Sequence, residues 1–330
     1  MINKTIERKI FYALRDDVLN LTILPTEQCN FRCFYCYESF KLGKMNKETT
    51  EAILKLVQTR ASSLKVLNIG WFGGEPLMAK DIVVYLSNRF KELSEEFNFE
   101  YFSSMTTNGY YLDSNLFDTL VKNGISSYQI TLDGDKKRHN KTRILSNREG
   151  TFDKIWENLL SIKKSSADFN MLLRIHYTPK NLKDIEIFSK VLDQEFGKDD
   201  RFTIHFKNIS TLGSCNDESL STFNVEESNK IQKDLNSLVD NIDTVTQDDY
   251  VCYASEANTF IIRSNGDISK CTVALDEEVN IIGRLKSNGE LELNQDKCKL
   301  WSIGLQTEDE AHLACPYYSL IKPKIVDVIG

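Results

Sequence analysis
Three thiols stand within eight residues at Cys29-Asn-Phe-Arg-Cys33-Phe-Tyr-Cys36. Spacings of four and three let one compact loop direct all three at a single centre. Soft sulfur donors select zinc, copper(I) or iron–sulfur clusters. A structural zinc site usually closes with a fourth nearby Cys or His, and none lies within ten residues of this loop. Three thiolates would leave one corner of a [4Fe–4S] cube open to a further ligand, an arrangement suited to catalysis.

Other chemically suggestive groups fall where strand patterns end. Gly73-Gly74-Glu75-Pro76 joins two glycines, which permit close backbone approach to a ligand, to a carboxylate that can accept hydrogen bonds from an ammonium. Thr106-Thr107-Asn108-Gly109 and Thr131-Leu132-Asp133-Gly134 read as turns when taken singly. Arg143 offers a guanidinium fork suited to a carboxylate, although residues 136–148 also read as a solvated basic stretch. His176, in Arg174-Ile-His176, reads as a packed strand histidine or a functional one. Cys252 and Cys271 flank Asn265-Gly266, a strong hairpin signal, and a hairpin would bring these distant thiols toward one centre. Cys315 follows, as does Cys298, which reads as a further ligand or a core thiol. Cys215 fits neither thiol group.

The elements that must position these residues alternate regularly. Strand patterns at 21–24, 66–72, 99–105, 127–132, 171–177 and 202–206 are separated by amphipathic helical patterns, the first capped by Asn46 and the third by Asp113. These six units predict an α/β fold with a parallel sheet, and six are too few to close an eight-stranded barrel. A partial (β/α)6 barrel is expected over residues 1–210, with its chemistry in the loops after the strands. A polar connector with one helix (225–238) is expected over 211–249. From 250 to 330 short strands and turns hold four of the eight cysteines, predicting a small α+β domain.

The 41 basic and 48 acidic residues give a net charge of −7, so nothing draws the whole chain toward nucleic acid. No apolar run reaches the roughly 18 residues that span a bilayer, and the charged first twenty residues carry no secretory signal. The cytoplasm is therefore the expected compartment, where eight cysteines speak for metal binding or catalysis rather than disulfides.

The Cys-x3-Cys-x2-Cys loop, with Tyr35 before its last cysteine, resembles the signature of radical S-adenosylmethionine enzymes. The resemblance implies that Cys29, Cys33 and Cys36 hold a [4Fe–4S] cluster whose open iron takes the amino and carboxylate groups of S-adenosylmethionine. In that family the reduced cluster cleaves the sulfonium, and the resulting 5′-deoxyadenosyl radical abstracts a substrate hydrogen. The same resemblance implies cofactor contacts by Tyr35, by Gly73, Gly74 and Glu75, by Thr107 and Asn108, by Thr131, and by Arg143 with the cofactor carboxylate. His176 stands where the family often has Asn.

Cys252-x13-Gly266-x4-Cys271 is similar to the opening of SPASM or twitch domains, which hold auxiliary [4Fe–4S] clusters. The dense cysteine run of a complete SPASM domain is missing. The resemblance thus implies one auxiliary cluster on Cys252, Cys271 and Cys315, with Cys298 or a substrate group as fourth ligand. With these motifs together, the chain most resembles enzymes that modify peptides or proteins. Sulfatase-maturating relatives carry an Asp proton acceptor after the second hairpin cysteine, where this chain has Thr272. The leading expectation is a maturase of ribosomally made peptides that forms a thioether or carbon–carbon cross-link on a precursor peptide. A flavodoxin- or ferredoxin-type protein would supply electrons. Only about twenty residues precede the first strand, too few for a winged-helix leader-binding module, so a separate leader-binding protein or direct contacts to the core peptide are expected. A formylglycine-forming sulfatase maturase, an epimerase, a small-molecule oxidase and a non-catalytic zinc-thiolate interaction protein stay open.

Overall fold
The computed structural model describes residues 4–210, 220–243 and 251–321. Helix α1 (Lys4–Ala13) precedes β1 (Val18–Ile23), α2 (Lys47–Arg60), β2 (Val66–Trp71), α3 (Lys80–Phe97) and β3 (Glu100–Thr107). Next come α4 (Ser114–Lys122), β4 (Ile125–Leu132), α5 (Lys136–Thr142), α6 (Phe152–Lys163), β5 (Asn170–Tyr177), α7 (Leu182–Phe196), β6 (Phe202–Asn208) and α8 (Val225–Asn236). Four short strands follow: β7 (Thr259–Ile262), β8 (Asp267–Ser269), β9 (Ile281–Leu285) and β10 (Leu291–Leu293). Three short helices come last: α9 (Gln295–Trp301), α10 (Ile303–Thr307) and α11 (Glu310–Ala314). The expected strand–helix alternation is present, and the fold is α/β with mostly parallel strands. Among the described residues no helix is long and apolar enough to cross a membrane.

The chain forms two compact units, each built from separated stretches. The first takes its described residues from Met1–Gln28, Ser39–Ser103 and Thr246–Asp327. Here β1 and β2 run parallel, from Val18 opposite Val66 to Ile23 opposite Trp71. Their buried positions alternate, with Leu19, Leu21 and Ile23 matched by Leu67, Ile69 and Trp71. This two-residue period is what a half-buried strand needs. Helix α2 starts where the Asn46 side chain accepts the Thr49 amide at 2.8 Å, a standard N-cap. On the other side of β1 lies β7, also parallel, from Asn20 opposite Thr259 to Ile23 opposite Ile262. Strands β8, β9 and β10 then continue antiparallel.

The second unit takes its described residues from Cys29–Glu38 and Ser104–Val245. Parallel pairing runs from β4 to β5 and from β5 to β6, with Thr131 opposite Arg174 and His176 opposite Lys207. Met171, Leu173 and Ile175 of β5 and Phe202, Ile204 and Phe206 of β6 are buried, as are Ile155, Leu159 and Ile162 of α6. Phe169 meets Phe117 edge-on at 5.0 Å, and Phe202 lies 4.7 Å from Phe196. Helix α5 arises inside the stretch that also reads as solvated and basic. Asp135 caps it by accepting the Arg138 amide at 2.9 Å, and His139 is buried within it.

Candidate active site
The three-thiol loop is anchored through its backbone rather than its sulfurs. Arg32 N–H donates to the Ile144 carbonyl and Phe34 N–H to the Thr142 carbonyl, both at 2.8 Å, while Phe31 is buried. Cys29 Sγ accepts the Phe31 amide at 3.3 Å. Asn108, at the end of β3, donates to Asn30 Oδ1 at 2.8 Å and lies 3.9 Å from Cys29 Sγ. Thr107 Oγ1 accepts the Gly109 amide at 3.2 Å and so shapes that turn.

Burial pushes the Cys33 thiol up and the Cys36 thiol up to about 12, and the Arg143 guanidinium opposes both shifts. Thiols in this state ionise when a thiophilic metal takes the proton's place. Among the described residues no three His, Cys, Asp or Glu side chains converge on a single-ion position. Two of the loop's three thiols, Cys33 and Cys36, lie near the buried Arg143 cation.

Asp133 is the hub around which the rest of this site is wired. Tyr35 Oη donates to Asp133 Oδ1 at 2.8 Å, and Thr142 Oγ1 donates to Oδ2 at 2.6 Å. Arg143 Nη1 donates to Tyr35 Oη at 2.9 Å. The His176 ring meets Tyr35 edge-on at 5.1 Å, and its Nδ1 lies 3.3 Å from Asp133 Oδ1 without hydrogen-bond alignment. Burial works against the Asp133 carboxylate, but His176 and the Arg143 charge outweigh it and hold the group well below the usual carboxylate range. Burial lowers His176, and the Asp133 carboxylate opposes that shift.

His139 accepts the Asp133 amide on Nδ1 at 3.3 Å, while its Nε2 lies 3.0 Å from Thr151 Oγ1. The Thr151 hydroxyl already donates to the Arg143 carbonyl at 2.6 Å, so Nε2 carries the proton. Thr131 is buried on β4 opposite Arg174. Arg143 and Arg174 each keep a buried Nε with no hydrogen-bond partner, two donors available to an anionic ligand. A cavity of about 160 Å³ opens beside the hub, lined by Phe34, Tyr35, Asp133, Lys141, Asn181 and Ile209 among others. Asp133, Thr142 and His139 were not singled out from sequence. Their signal lay within motifs read for Thr131 and Arg143.

In the first unit, the Gly-Gly-Glu-Pro turn packs on the chain that leads to Cys29. A Cβ on Gly73 (φ +112°) would stand 2.3 Å from the Thr26 carbonyl oxygen, and one on Gly74 would stand 2.5 Å from that of Gln28. Only glycine fits at either position. Glu75 is fully buried and its Oε1 accepts the Leu77 amide at 2.9 Å. Two residues before Cys29, the buried Glu27 carboxylate receives a fork from Arg263, at 2.6 Å from Nη2 and 3.1 Å from Nε. Neither residue of this pair belongs to a motif.

Hydrogen bonds to the backbone fix the chain around two of the C-terminal thiols. Cys252 N–H donates to the Leu313 carbonyl at 2.8 Å, close in sequence to Cys315. Asn280 Oδ1 accepts the amides of Lys270 and Cys271 at 3.0 and 2.9 Å, which fixes the chain carrying the second hairpin thiol. Burial raises Cys271, and Cys315 lies near enough to oppose its ionisation further. Cys298 sits on α9, where burial raises its thiol and Lys270 lowers it. Thr272, at the position of the sulfatase-maturase Asp, shares a 2.8 Å hydrogen bond with Tyr253. Cys215 lies outside the described residues.

The pattern that defines the Radical SAM superfamily matches residues 23–190, just over half the chain. This protein belongs to that superfamily. Membership supports an enzyme and implies a [4Fe–4S] cluster with S-adenosylmethionine. The chain is 28% identical over 189 residues to the cysteine-type anaerobic sulfatase-maturating enzyme of Clostridium novyi (strain NT), covering 54% of this chain and 50% of that one. It is 29% identical over 175 residues to the GTP 3′,8-cyclase of Clostridium botulinum (strain Okra / Type B1), covering 51% and 50%. The radical SAM chain thus spans about half the length of these curated relatives. Among solved structures, native anSMEcpe with bound AdoMet and Cp18Cys peptide superposes with TM-score 0.65 at 21% identity, covering 92% of this chain and 88% of that one. Streptococcus suis SuiB bound to precursor peptide SuiA superposes with TM-score 0.58 at 16% identity, covering 97% and 70%. At these identities the likeness is one of fold, and it agrees with the expected partial barrel.

Proposed function
We propose that this radical SAM protein abstracts hydrogen from a peptide and leaves a thioether or carbon–carbon cross-link on it. The peptide class is supported by fold likeness, over nearly the whole chain, to two proteins whose structures carry peptides. The observation that carries cross-linking over formylglycine formation is Thr272. A hydroxyl paired with Tyr253 stands where a carboxylate would accept the proton, and a hydroxyl is no base at neutral pH.

In this reading Cys29, Cys33 and Cys36 hold the catalytic cluster, which with S-adenosylmethionine supplies a hydrogen-abstracting 5′-deoxyadenosyl radical. Arg143 and Arg174 offer their unpartnered Nε donors to the cofactor carboxylate. Tyr35, Asp133 and Thr142 fix the Cys33–Cys36 turn and the Arg143 head. Gly73, Gly74 and Glu75, with Thr107, Asn108 and Thr131, keep the cofactor-contacting roles that the resemblance implies. Cys252, Cys271 and Cys315, with Cys298 as fourth ligand, hold one auxiliary cluster. A flavodoxin or ferredoxin donates electrons.

The test is anaerobic incubation of the reconstituted protein with S-adenosylmethionine, dithionite and a cysteine-containing precursor peptide. Mass spectrometry should show two hydrogens lost with sulfur retained. Loss of sulfur would establish the second reading, formylglycine formation from cysteine, which the sulfatase-maturase identity favours. Release of 5′-deoxyadenosine should disappear in Cys33→Ala.

A further inference from the structure
Strands β5 and β6 bury one face completely, through Leu173, Ile175, Ile204 and Phe206. Their other face is half-buried and carries charge, with Arg174 and His176 on β5 and His205 and Lys207 on β6. Parallel register sets Arg174 opposite His205 and His176 opposite Lys207. The first of these rows extends to Thr131 on β4. Beyond β6 it reaches Asp243, because Ile242 bridges Ile204 in parallel and Asp243 Oδ2 lies 3.2 Å from His205 Nδ1. All of these residues belong to the second unit.

Two carboxylates meet this face, and both are engaged: Asp133 by Tyr35 and Thr142, Asp243 by His205. Arg174 and Lys207 are diagonal neighbours across β5 and β6. Among the described residues neither side chain makes a salt bridge or a hydrogen bond, and the Arg174 Nε is buried. Burial, and after it the Arg174 charge, hold the Lys207 ammonium below its usual range. Like charges on neighbouring strands destabilise a sheet, and partial burial adds to the cost. An anion between them would offset that cost and gain charge-assisted hydrogen bonds from both. We propose that Arg174 and Lys207 form a carboxylate subsite that takes an Asp or Glu side chain of the substrate peptide. This rests on the peptide reading above. A guanidinium has donors on three nitrogens, so Arg174 can turn Nε to the cofactor and a terminal nitrogen to the peptide, while Lys207 serves the peptide alone.

The experiment offers the full reconstituted chain, immobilised without oxygen and loaded with S-adenosylmethionine, a displayed peptide library with one fixed Cys among random residues. Retained peptides are sequenced. Asp or Glu should be enriched about tenfold at a set distance from the Cys. Lys207→Gln should lose that enrichment, Lys207→Arg should keep most of it, and Lys207→Glu should exchange it for Lys or Arg at the same position. A merely structural role for Lys207 would weaken every peptide alike and could not reverse the preferred charge. Retained peptides without an acidic preference, or an acidic preference that survives in Lys207→Glu, overturn the carboxylate subsite and leave the peptide reading standing. Retention of no peptide overturns the peptide reading and the subsite with it. If Lys207→Glu does not fold, Lys207→Gln decides the matter, and an acidic preference undiminished there sinks the proposal.

Discussion

His139 is held neutral because both ring nitrogens are committed, Nδ1 accepting from the Asp133 amide and Nε2 donating to Thr151. Unfolded it titrates near 6.5, and burial brings it down to about 3 in the folded chain. Between those values the unfolded chain binds the extra proton. Stability from this group is therefore complete above about pH 6.5 and falls as pH drops toward 3, by up to about 1.4 kcal/mol per pH unit. Denaturation midpoints of the metal-free protein between pH 6.5 and 5 should show this slope, and His139→Gln should flatten it; parallel profiles would refute the assignment. Tyr35→Phe removes the hydroxyl that joins Arg143 to Asp133 and should destabilise the metal-free fold by about 1–3 kcal/mol. An unchanged melting temperature would show that the hydroxyl bridges nothing of consequence. Arg143 was singled out in the sequence through its resemblance to a family arginine. Its bond to the Tyr35 hydroxyl was not legible there, since residues 35, 133, 142 and 176 come from three separate stretches of the chain.

At the scale of elements, β1 is flanked on both sides by parallel neighbours, β2 and β7. The β7–β8 turn could be read from Asn265-Gly266, and the Gly266 φ of +88° shows why glycine stands there. The parallel docking of β7 on β1 left no local mark. Thr259–Ile262 is buried at all four positions, so it lacks the alternation that reveals a strand's face, and its partner lies more than two hundred residues away. Beside the backbone ladder, the Glu27–Arg263 fork ties the two strands' ends, with Arg263 Nη1 also donating to the Leu275 carbonyl at 2.6 Å. Arg263→Met would leave the Glu27 carboxylate buried and unpaired, at about 3–5 kcal/mol. Glu27→Gln combined with Arg263→Met should recover most of that loss, as read by chemical denaturation of the metal-free protein. A double variant no better than the single one would mean that the fork acts through packing alone. Gly74→Ala forces a methyl onto the Gln28 carbonyl and should lower stability by about 1–3 kcal/mol.

Across the whole molecule, the two thiol groups differ in the length of the elements that surround them. The loop from Cys29 to Cys36 is tied by Arg32 and Phe34 amides to residues 142–144 and plugged by Phe31. The strand–helix alternation around it was legible because its apolar periods are long and unbroken. The C-terminal thiols sit among pieces too short to hold themselves: α9, α10 and α11 have seven, five and five residues. Isolated helices of that length are unstable in water. Trp301, fully buried and donating to the Val279 carbonyl at 3.1 Å, is the main apolar anchor there. Cysteine spacing could suggest a metal in this region but not the order in which the parts depend on it. If thiolate–iron bonds supply the missing stability, chelation should release the tail while the β/α repeats stay folded. Limited proteolysis of the chelated protein should then cut after residue 294 well before it cuts within β4, β5 or β6, and Trp301 emission should shift to the red. Equal cleavage rates in both regions, or an unmoved tryptophan spectrum, would show that the tail is held by its own side chains.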